Sequence, residues 1–438
     1  MSEKIGRGWY GASLVAAVWL VATPVLADSL QEFLGAAQAR DPKLEALRHD
    51  RVGAQEKAKE AWSDWYPEAS VNAWGGRQKQ NQPAGTQTNT VAREHSLTVT
   101  QLLYDFGKTG AAIDTAALQE VRADLAVIDG EQALFLEAVT AYANLIRAHE
   151  TLQFARQAEA NVRSQTGLEE ARVQSGGGYT TDVLQAKSQL AGARARQVRA
   201  EGQYEQALNR FRSVFGELPK DIAKLVKPKL EMNVLPKTVD EALALTLDRS
   251  PSLRLAKVTA DISREQVRAA TAKGFLPVIE AVGEHKKQTH VDGTMGDKET
   301  DTVKVQLKLP FNLGLTALNS IRAAESGVSA SESRVRQALE QAEEQVRNAW
   351  QSLQTALANW RYLQDQATLA NAFLELARKE RELGSRSLLD VLNGETTAIN
   401  ALSDASSAEA DVTIAAVTLL YRMGTLTRAE MTSLAAAK

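Results

Sequence analysis

Two short stretches combine glycine, hydroxyl and acidic residues at a spacing that could do chemistry. "SGGGYTTDVLQAKSQL" runs from Ser175 to Leu190, and "LGSRSLLDVLNGETTA" runs from Leu383 to Ala398. Glycines ahead of Thr180 and Thr181 could cradle a phosphate. A phosphate loop, however, needs a strand, then G-x-x-x-x-G-K-[ST], then a helix. Here the residues ahead of Gly176 read as helix, and no Lys–Ser/Thr pair follows. A turn between two helices explains more. Gly176, Gly177 and Gly178, and Gly384 in the sister stretch, allow the positive φ that ends a helix and reverses the chain. Thr180 and Thr181 can cap the next helix. Asp182 then falls in its first turn, where the helix dipole favours a carboxylate. Ser387 and Asp390 have the spacing of a capping box.

Other chemistry finds little support. None of the five histidines, His49, His95, His149, His285 and His290, has H-E-x-x-H spacing. His285 and His290 read as solvent-exposed rather than as ligands. No G-x-S-x-G is present to make a nucleophile elbow. No metal, no cofactor and no catalysis is expected. Cysteine is absent, which excludes disulfides and thiolate chemistry. The net charge of −3 with 24% charged residues gives no nucleic-acid footprint. The Arg-rich "ARARQVRAEGQ" reads as a solvated or lumen-facing helix surface.

The elements that carry these turns are organised by a repeat. Its period is roughly 208 residues. Pro42 aligns with Pro251, "WYPEASV" with "FLPVIEAV", "YDFG" with "FNLG", Asp182 with Asp390, and Gly216 with Gly424. The organisation expected is a signal peptide over 1–27, a first repeat over 28–218, a linker over 219–237 and a second repeat over 238–438. Lys4 and Arg7, the apolar run from Trp9 to Leu20, and Val25 and Ala27 make the signal. An uncleaved membrane anchor is the alternative. Cleavage after Ala27 would make Asp28 the first mature residue, so no lipid-accepting Cys is expected there.

Proline placement marks where long helices can form. Residues 84–218 and 311–438 contain none of the ten prolines. Leu339, Ala342, Val346, Ala349, Leu353, Ala356, Trp360, Leu363, Ala367, Ala370, Leu374 and Ala377 follow 3-4 spacing, a heptad seam. Leu125, Ile128, Gln132, Phe135, Val139, Tyr142 and Ile146 repeat it. Helices are predicted over about 110–175, 181–215, 316–383 and 388–422. The longest would reach roughly 100 Å.

Strands are expected between them. In "TVKVQLKLP", Val303, Val305, Leu307 and Leu309 share one face and Lys304, Gln306 and Lys308 the other. "SLTVTQLLY" puts Leu97, Val99 and Leu103 together. "EASVNAW" and "PVIEAVGEH" supply two more. "RQKQNQPAGTQTNTVARE" and "KKQTHVDGTMGDKE" read as loops. Four strands are too few to close a barrel. A membrane barrel shared between subunits solves this, with Val303, Val305, Leu307 and Leu309 facing lipid. Trp62, Trp65, Tyr66, Trp74 and Tyr104 cluster at the expected helix–strand junctions and would mark the membrane interface. A small soluble sandwich is the alternative.

The duplicated plan, the "DPKLEAL" and "SPSLRLA" helix starts and "GSRSLLDVLNGETTA" resemble the TolC family of outer-membrane export ducts. The resemblance covers nearly the whole mature chain. It implies a mainly α fold with a β-barrel portion: a homotrimer with one 12-stranded barrel in the outer membrane of a Gram-negative bacterium, continuous with a periplasmic α-barrel. It also implies partners: a periplasmic adaptor, an inner-membrane ABC or proton-driven pump, and outer-membrane lipid. The helix turns would close the periplasmic end. Within the family, an arginine after the second-tip glycine contacts a Thr–Asp pair in the first tip. Those positions are Arg386, Thr181 and Asp182. Asp390 matches an acidic constriction, whereas Asn393 replaces the next acid. Arg381 stands where the family often has an aromatic residue. The function implied is a passive exit duct, with type I protein secretion first and the first tip resembling the adhesin-exporting branch. Multidrug or metal efflux is the alternative cargo. A periplasmic coiled-coil adaptor is the alternative of another class.

Overall fold

The computed structural model describes residues 30–81, 87–228, 235–293, 295–309 and 315–427, leaving out the side chains of residues 31, 32 and 81. The expected signal segment and the "FNLG" anchor lie outside them. The chain runs twice through the same order of elements. The first pass is α1 (Leu30–Arg40), α2 (Pro42–Ser63), β1 (Glu68–Asn81), β2 (Gln87–Tyr104), α3 (Lys108–Gln174) and α4 (Thr180–Phe215). The second is α5 (Val239–Arg249), α6 (Pro251–Phe275), β3 (Val278–Thr289), β4 (Asp297–Lys308), α7 (Thr316–Glu382) and α8 (Leu388–Met423).

Helices α3 and α7 have 67 residues each, so each extends roughly 100 Å. Neither could bury its apolar seam alone. The upper part of each packs on α2 or α6, and the lower part on α4 or α8. Much of the predicted seams is buried, including Phe135, Val139, Tyr142 and Ile146 on α3, and Val346, Ala349, Leu353, Leu374 and Ala377 on α7, whereas Ile128 and Leu339 are exposed. The main core sits where α1 and α5 cross the long helices. There Phe33, Phe211 and Phe215 stack around Tyr142. The segment after α4 is strapped onto this core. Tyr142 donates to the carbonyl of Val226 at 3.0 Å. Lys227 pairs with Glu150 at 2.9 Å and Glu409 at 2.7 Å. Burial works against the Lys227 charge, but these two bonds outweigh it and raise its pKa.

The strands form one antiparallel sheet in the order β1-β2-β3-β4, with β1 and β4 as its edges. Its register sorts the faces. Val71 pairs with Leu97, Leu97 with His285, and His285 with Asp301; Ala69, Val99, Gly283 and Val303 form the next row. Directly opposed residues share a face. Ala69, Val71, Leu97, Val99, Ala281, Val303, Val305 and Leu307 therefore make one apolar face. Val303 is 91% exposed and Val305 69%, so none of the described residues covers it. Leu309 lies just past the end of β4 and is also exposed. The other face is polar and holds the Glu280–Lys308 pair at 2.7 Å.

Three sequence expectations need correction here. Most of the two stretches read as loops is strand: β1 continues to Asn81, β2 starts at Gln87, β3 reaches Thr289 and β4 starts at Asp297. Their outward residues are polar apart from Val91, so no hydrophobic period advertises them. Leu103 falls in a bulge between Leu102 and Tyr104, so Tyr104 takes the next place on the apolar face, beside Ile279. Trp74 is not at a helix–strand junction. It stands mid-strand opposite Glu94, on the polar face.

The α3–α4 hairpin is keyed by a buried carboxylate. Glu159 accepts bonds from Arg163 at 2.6 Å and from Arg194 of α4 at 3.1 Å. Burial raises its pKa, but the two arginines outweigh that and hold it below its ordinary 4.5. The stability this adds is present above the unfolded-state value and is lost as the pH falls through the lower folded-state value. Glu159→Gln is expected to cost roughly 1–2 kcal/mol at neutral pH, because both arginines are half exposed. Thermal melts of the two proteins should converge as the pH falls below the ordinary carboxylate range. A gap that persists in acid would show that shape, not charge, keys the hairpin.

Candidate gate at the helical tips

Both tips are built by the same hydrogen bonds. After α3, Gly176 takes φ +81° and its N–H donates to the carbonyl of Val173, while Gly177 N–H donates to Arg172. After α7, Gly384 takes φ +80°, its N–H donates to Arg381, and Ser385 N–H donates to Glu380. These bonds close the last turn of each helix. Gly177 and Gly178 do not adopt positive φ; only Gly176 of the three needs to be glycine for its backbone. Helix α4 is not capped by Thr180 or Thr181. Tyr179 is the N-cap, with no side-chain bond, and both threonines lie inside the first turn. Ser387 does cap α8, accepting from Asp390 N–H at 3.1 Å.

Thr181, Asp182, Asp390 and Asn393 are all exposed. Asp390 and Asn393 lie one turn apart on α8, so they share a solvent-facing strip. Within the protomer, Arg386 does not reach Thr181 or Asp182. Its Nε donates to Glu380 at 2.5 Å, and its guanidinium lies over the Phe373 ring at 5.2 Å. Both partners belong to α7, so this contact stiffens the second tip without joining the tips.

Arg381 makes the joint. Its Nη2 donates to Glu169 of α3 at 2.6 Å, and its Nη1 donates to the carbonyl of Arg386 at 3.1 Å. Glu169 is only 4% exposed, and Arg172 stands 3.7 Å away as a second cation. One turn further from the tip, Glu395 of α8 is 1% exposed. It accepts from Arg378 of α7 at 3.0 Å and from Asn161 of α3 at 2.9 Å. Small apolar residues fill the space between: Val162, Ala186, Leu388 and Leu392 bring α3, α4 and α8 together.

Sequence reasoning singled out Arg381 but missed Glu169, Glu395, Arg378 and Asn161. Each is an ordinary residue of a charged helix, and Glu169 is 212 positions from its partner. The available signal was heptad phase. Glu395 falls among apolar neighbours Leu392, Ala398 and Ile399, which are buried. Among the described residues no group of His, Asp or Glu could hold a metal, and no helix is long and apolar enough to cross a membrane.

Taken together, the tips form two helical hairpins cross-linked by charge at the far end from the sheet. Known proteins share this plan. Residues 33–217 and 242–425 match the family model for outer membrane efflux proteins. The outer membrane protein TolC of Vibrio cholerae is 23% identical over 421 residues, covering 95% of each chain. The alkaline protease secretion protein AprF of Pseudomonas aeruginosa is 25% identical over 346 residues, 78% of this chain and 71% of that one. The solved outer membrane protein VceC of Vibrio cholerae superposes with a TM-score of 0.77 at 19% identity, over 90% of this chain and 96% of that one. The chain belongs to the TolC family of outer membrane efflux proteins, which sets its sheet in the outer membrane of a Gram-negative bacterium and its helices in the periplasm.

Proposed function

We propose that the protein is a passive, trimeric exit duct whose tip is held shut by the Arg381–Glu169 link, and that its cargo is protein exported by a type I secretion system. The sheet supports the trimer. It has an uncovered apolar face and two open edges, β1 and β4. An open edge in hydrocarbon leaves backbone groups unpaired, so β4 of one copy must meet β1 of the next. Three copies give the twelve strands expected of one barrel. The interior would be polar and the outer wall apolar, as the register already arranges. No residue does covalent chemistry on the cargo. An inner-membrane pump supplies the energy, and a periplasmic adaptor engages the tips.

The link supports a gate. Opening must swing the α7–α8 hairpin away from α3. That swing separates Arg381 from Glu169 and leaves the buried carboxylate with only the more distant Arg172 beside it. Breaking such a pair costs up to about 3 kcal/mol, the low end of the range because Arg381 is partly exposed. The Glu395–Arg378–Asn161 contact, one turn above, serves as the pivot. Asp390 and Asn393 would then line the constriction, one acidic ring and one neutral. Thr181 and Asp182 remain free to meet Arg386 of a neighbouring copy. The lean toward protein cargo rests on the similarity to a protease secretion protein and on a sequence with no cysteine for lipid attachment. Efflux of small molecules is the competing cargo.

Planar-bilayer recording of the purified protein is expected to show small, discrete conductance steps. A protein that stays soluble without detergent and gives no steps would instead be a periplasmic scaffold. Arg381→Ala and Glu169→Gln are each expected to raise the step several-fold. The double variant should do no more than either single one, because both break the same bond. Arg386→Ala should have the smaller effect, because among the described residues its side chain contacts only Glu380 and Phe373 of the adjoining α7. Unchanged conductance in Arg381→Ala and Glu169→Gln alike would remove the gate. For cargo, deleting the gene should trap an exported protein in the cells and leave drug susceptibility unchanged. The reverse pattern would assign the duct to efflux.

A further inference from the structure

The apolar face of the sheet does not stay apolar to its far end, and the two hairpins end differently. On the second hairpin, the outward residues above Val303 are charged but matched. His285 contacts Asp301 at 2.7 Å, Lys287 contacts Glu299 at 2.8 Å, and Thr289 donates to Asp297 at 2.7 Å. The first hairpin has no such balance. Its outward positions are Ala69, Val71, Ala73, Gly75, Arg77 and Lys79 on β1, and Asn89, Val91, Arg93, His95, Leu97 and Val99 on β2. None is a carboxylate. Among the described residues, Arg77, Lys79 and Arg93 make no ion pair.

The three cations are close together. Arg93 stands directly opposite Gly75, and Arg77 opposite Val91. Arg77 is thus the diagonal neighbour of Arg93, a separation of roughly 7 Å. Gly75 has no side chain to keep them apart. The Arg93 stem lies across it, where an added Cβ would sit 3.6 Å from Arg93 Cγ. Like charges this close are unfavourable without an anion between them.

Their height fits a particular anion. Tyr104 and Phe106 pack edge to face at the helix end of the sheet, exposed on the lower rim. Arg93 lies eleven residues along β2 from Tyr104. At ~3.3 Å per residue and a tilt of about 40°, that is a rise of roughly 28 Å. The apolar band of an outer-membrane barrel is about 25 Å tall. The cations therefore stand just above it, on the cell-surface side, where the headgroups of the outer leaflet lie. In a Gram-negative outer membrane those headgroups belong to phosphorylated glycolipid. Two guanidinium groups and an ammonium suit a phosphate, which arginine binds through two parallel hydrogen bonds.

We propose that Arg77, Lys79 and Arg93 form a site on the outer wall of the barrel for the phosphate of an outer-leaflet glycolipid. The proposal rests on the barrel reading. The competing use of these cations is to meet Asp297, Glu299 and Asp301 across the seam between copies. Those three acids already have partners in their own hairpin, and Arg93 is on an inner strand rather than at the edge.

The test uses the detergent-purified oligomer loaded with bis-phosphorylated lipid A and read by native mass spectrometry. The wild-type protein is expected to retain lipid A through a detergent wash and to retain its dephosphorylated form at least about tenfold less. Arg77→Gln/Lys79→Gln/Arg93→Gln should lose phosphorylated lipid A to the same extent while keeping its oligomer mass and its bilayer conductance steps. Equal retention of the two lipids, or unchanged retention in the variant, would overturn the site. A variant that falls to monomers while the wild type holds no lipid would overturn it too, and would place the cations in the seam. A wild-type protein that never inserts into a bilayer would fail earlier, at the barrel itself.

Discussion

A strand in hydrocarbon must have both edges paired, because each unpaired backbone N–H or C=O there costs several kcal/mol. This chain supplies four strands and leaves β1 and β4 open. The rest of the architecture answers that shortage. A duplicated sequence gives two hairpins per chain, and their register puts every apolar row on one face. The helices inherit the same outward curve. The left-handed turn at Phe106 and Gly107 redirects β2 into α3, and buried Asp105 fixes it by accepting from Gly107 N–H at 3.1 Å and Thr109 N–H at 2.6 Å. A left-handed Leu315 opens α7. At the β2–α3 junction the wall of strands passes into a wall of helices within three residues.

Below the sheet the constraint changes from backbone to side chain. Helices that satisfy their own hydrogen bonds need only a place to bury a narrow stripe. The stripe is rich in alanine, with Ala342, Ala349, Ala367 and Ala377 on α7 and Ala138, Ala141 and Ala158 on α3. Small residues let helix axes approach, but an alanine stripe has little to fix one register over the next. The buried charges supply what it lacks. Glu159, Glu169 and Glu395 sit at three levels, and each is held by an arginine from another helix. A carboxylate can be buried only where its partner stands, so every other register carries an unpaired charge.

Much of this could be read from the residues alone. Proline-free stretches and the 3-4 spacing placed the long helices within two residues of their observed ends. The alternation from Val303 to Leu307 marked the exposed apolar face. What could not be read follows from the same physics. The distal strand ends carry Arg77, Lys79, Thr88 and Thr90, whose polarity mimics a loop because both sides of the sheet are wet there. The cap of α4 was expected at Thr180 or Thr181, but the reversal uses one residue fewer and leaves Tyr179 at the boundary. The partner of Arg381 was invisible because it is set by how two hairpins lie together.

On the proposed gate, that dependence is what would let the tip move. Within each hairpin the helices share long apolar seams. Between the hairpins, near the tip, the contact narrows to a small cluster around Val162 and Leu392 and two charged links. A seam resists sliding along its whole length, whereas a pair of point contacts yields when either is replaced by a better one. Glu169 has Arg172 3.7 Å away on its own helix. If Arg381 leaves, the buried carboxylate still has Arg172 beside it. The opened tip is thereby less costly than the loss of a buried pair would suggest. On that reading Glu169 locks the closed hairpin and keeps a cationic neighbour in the open one.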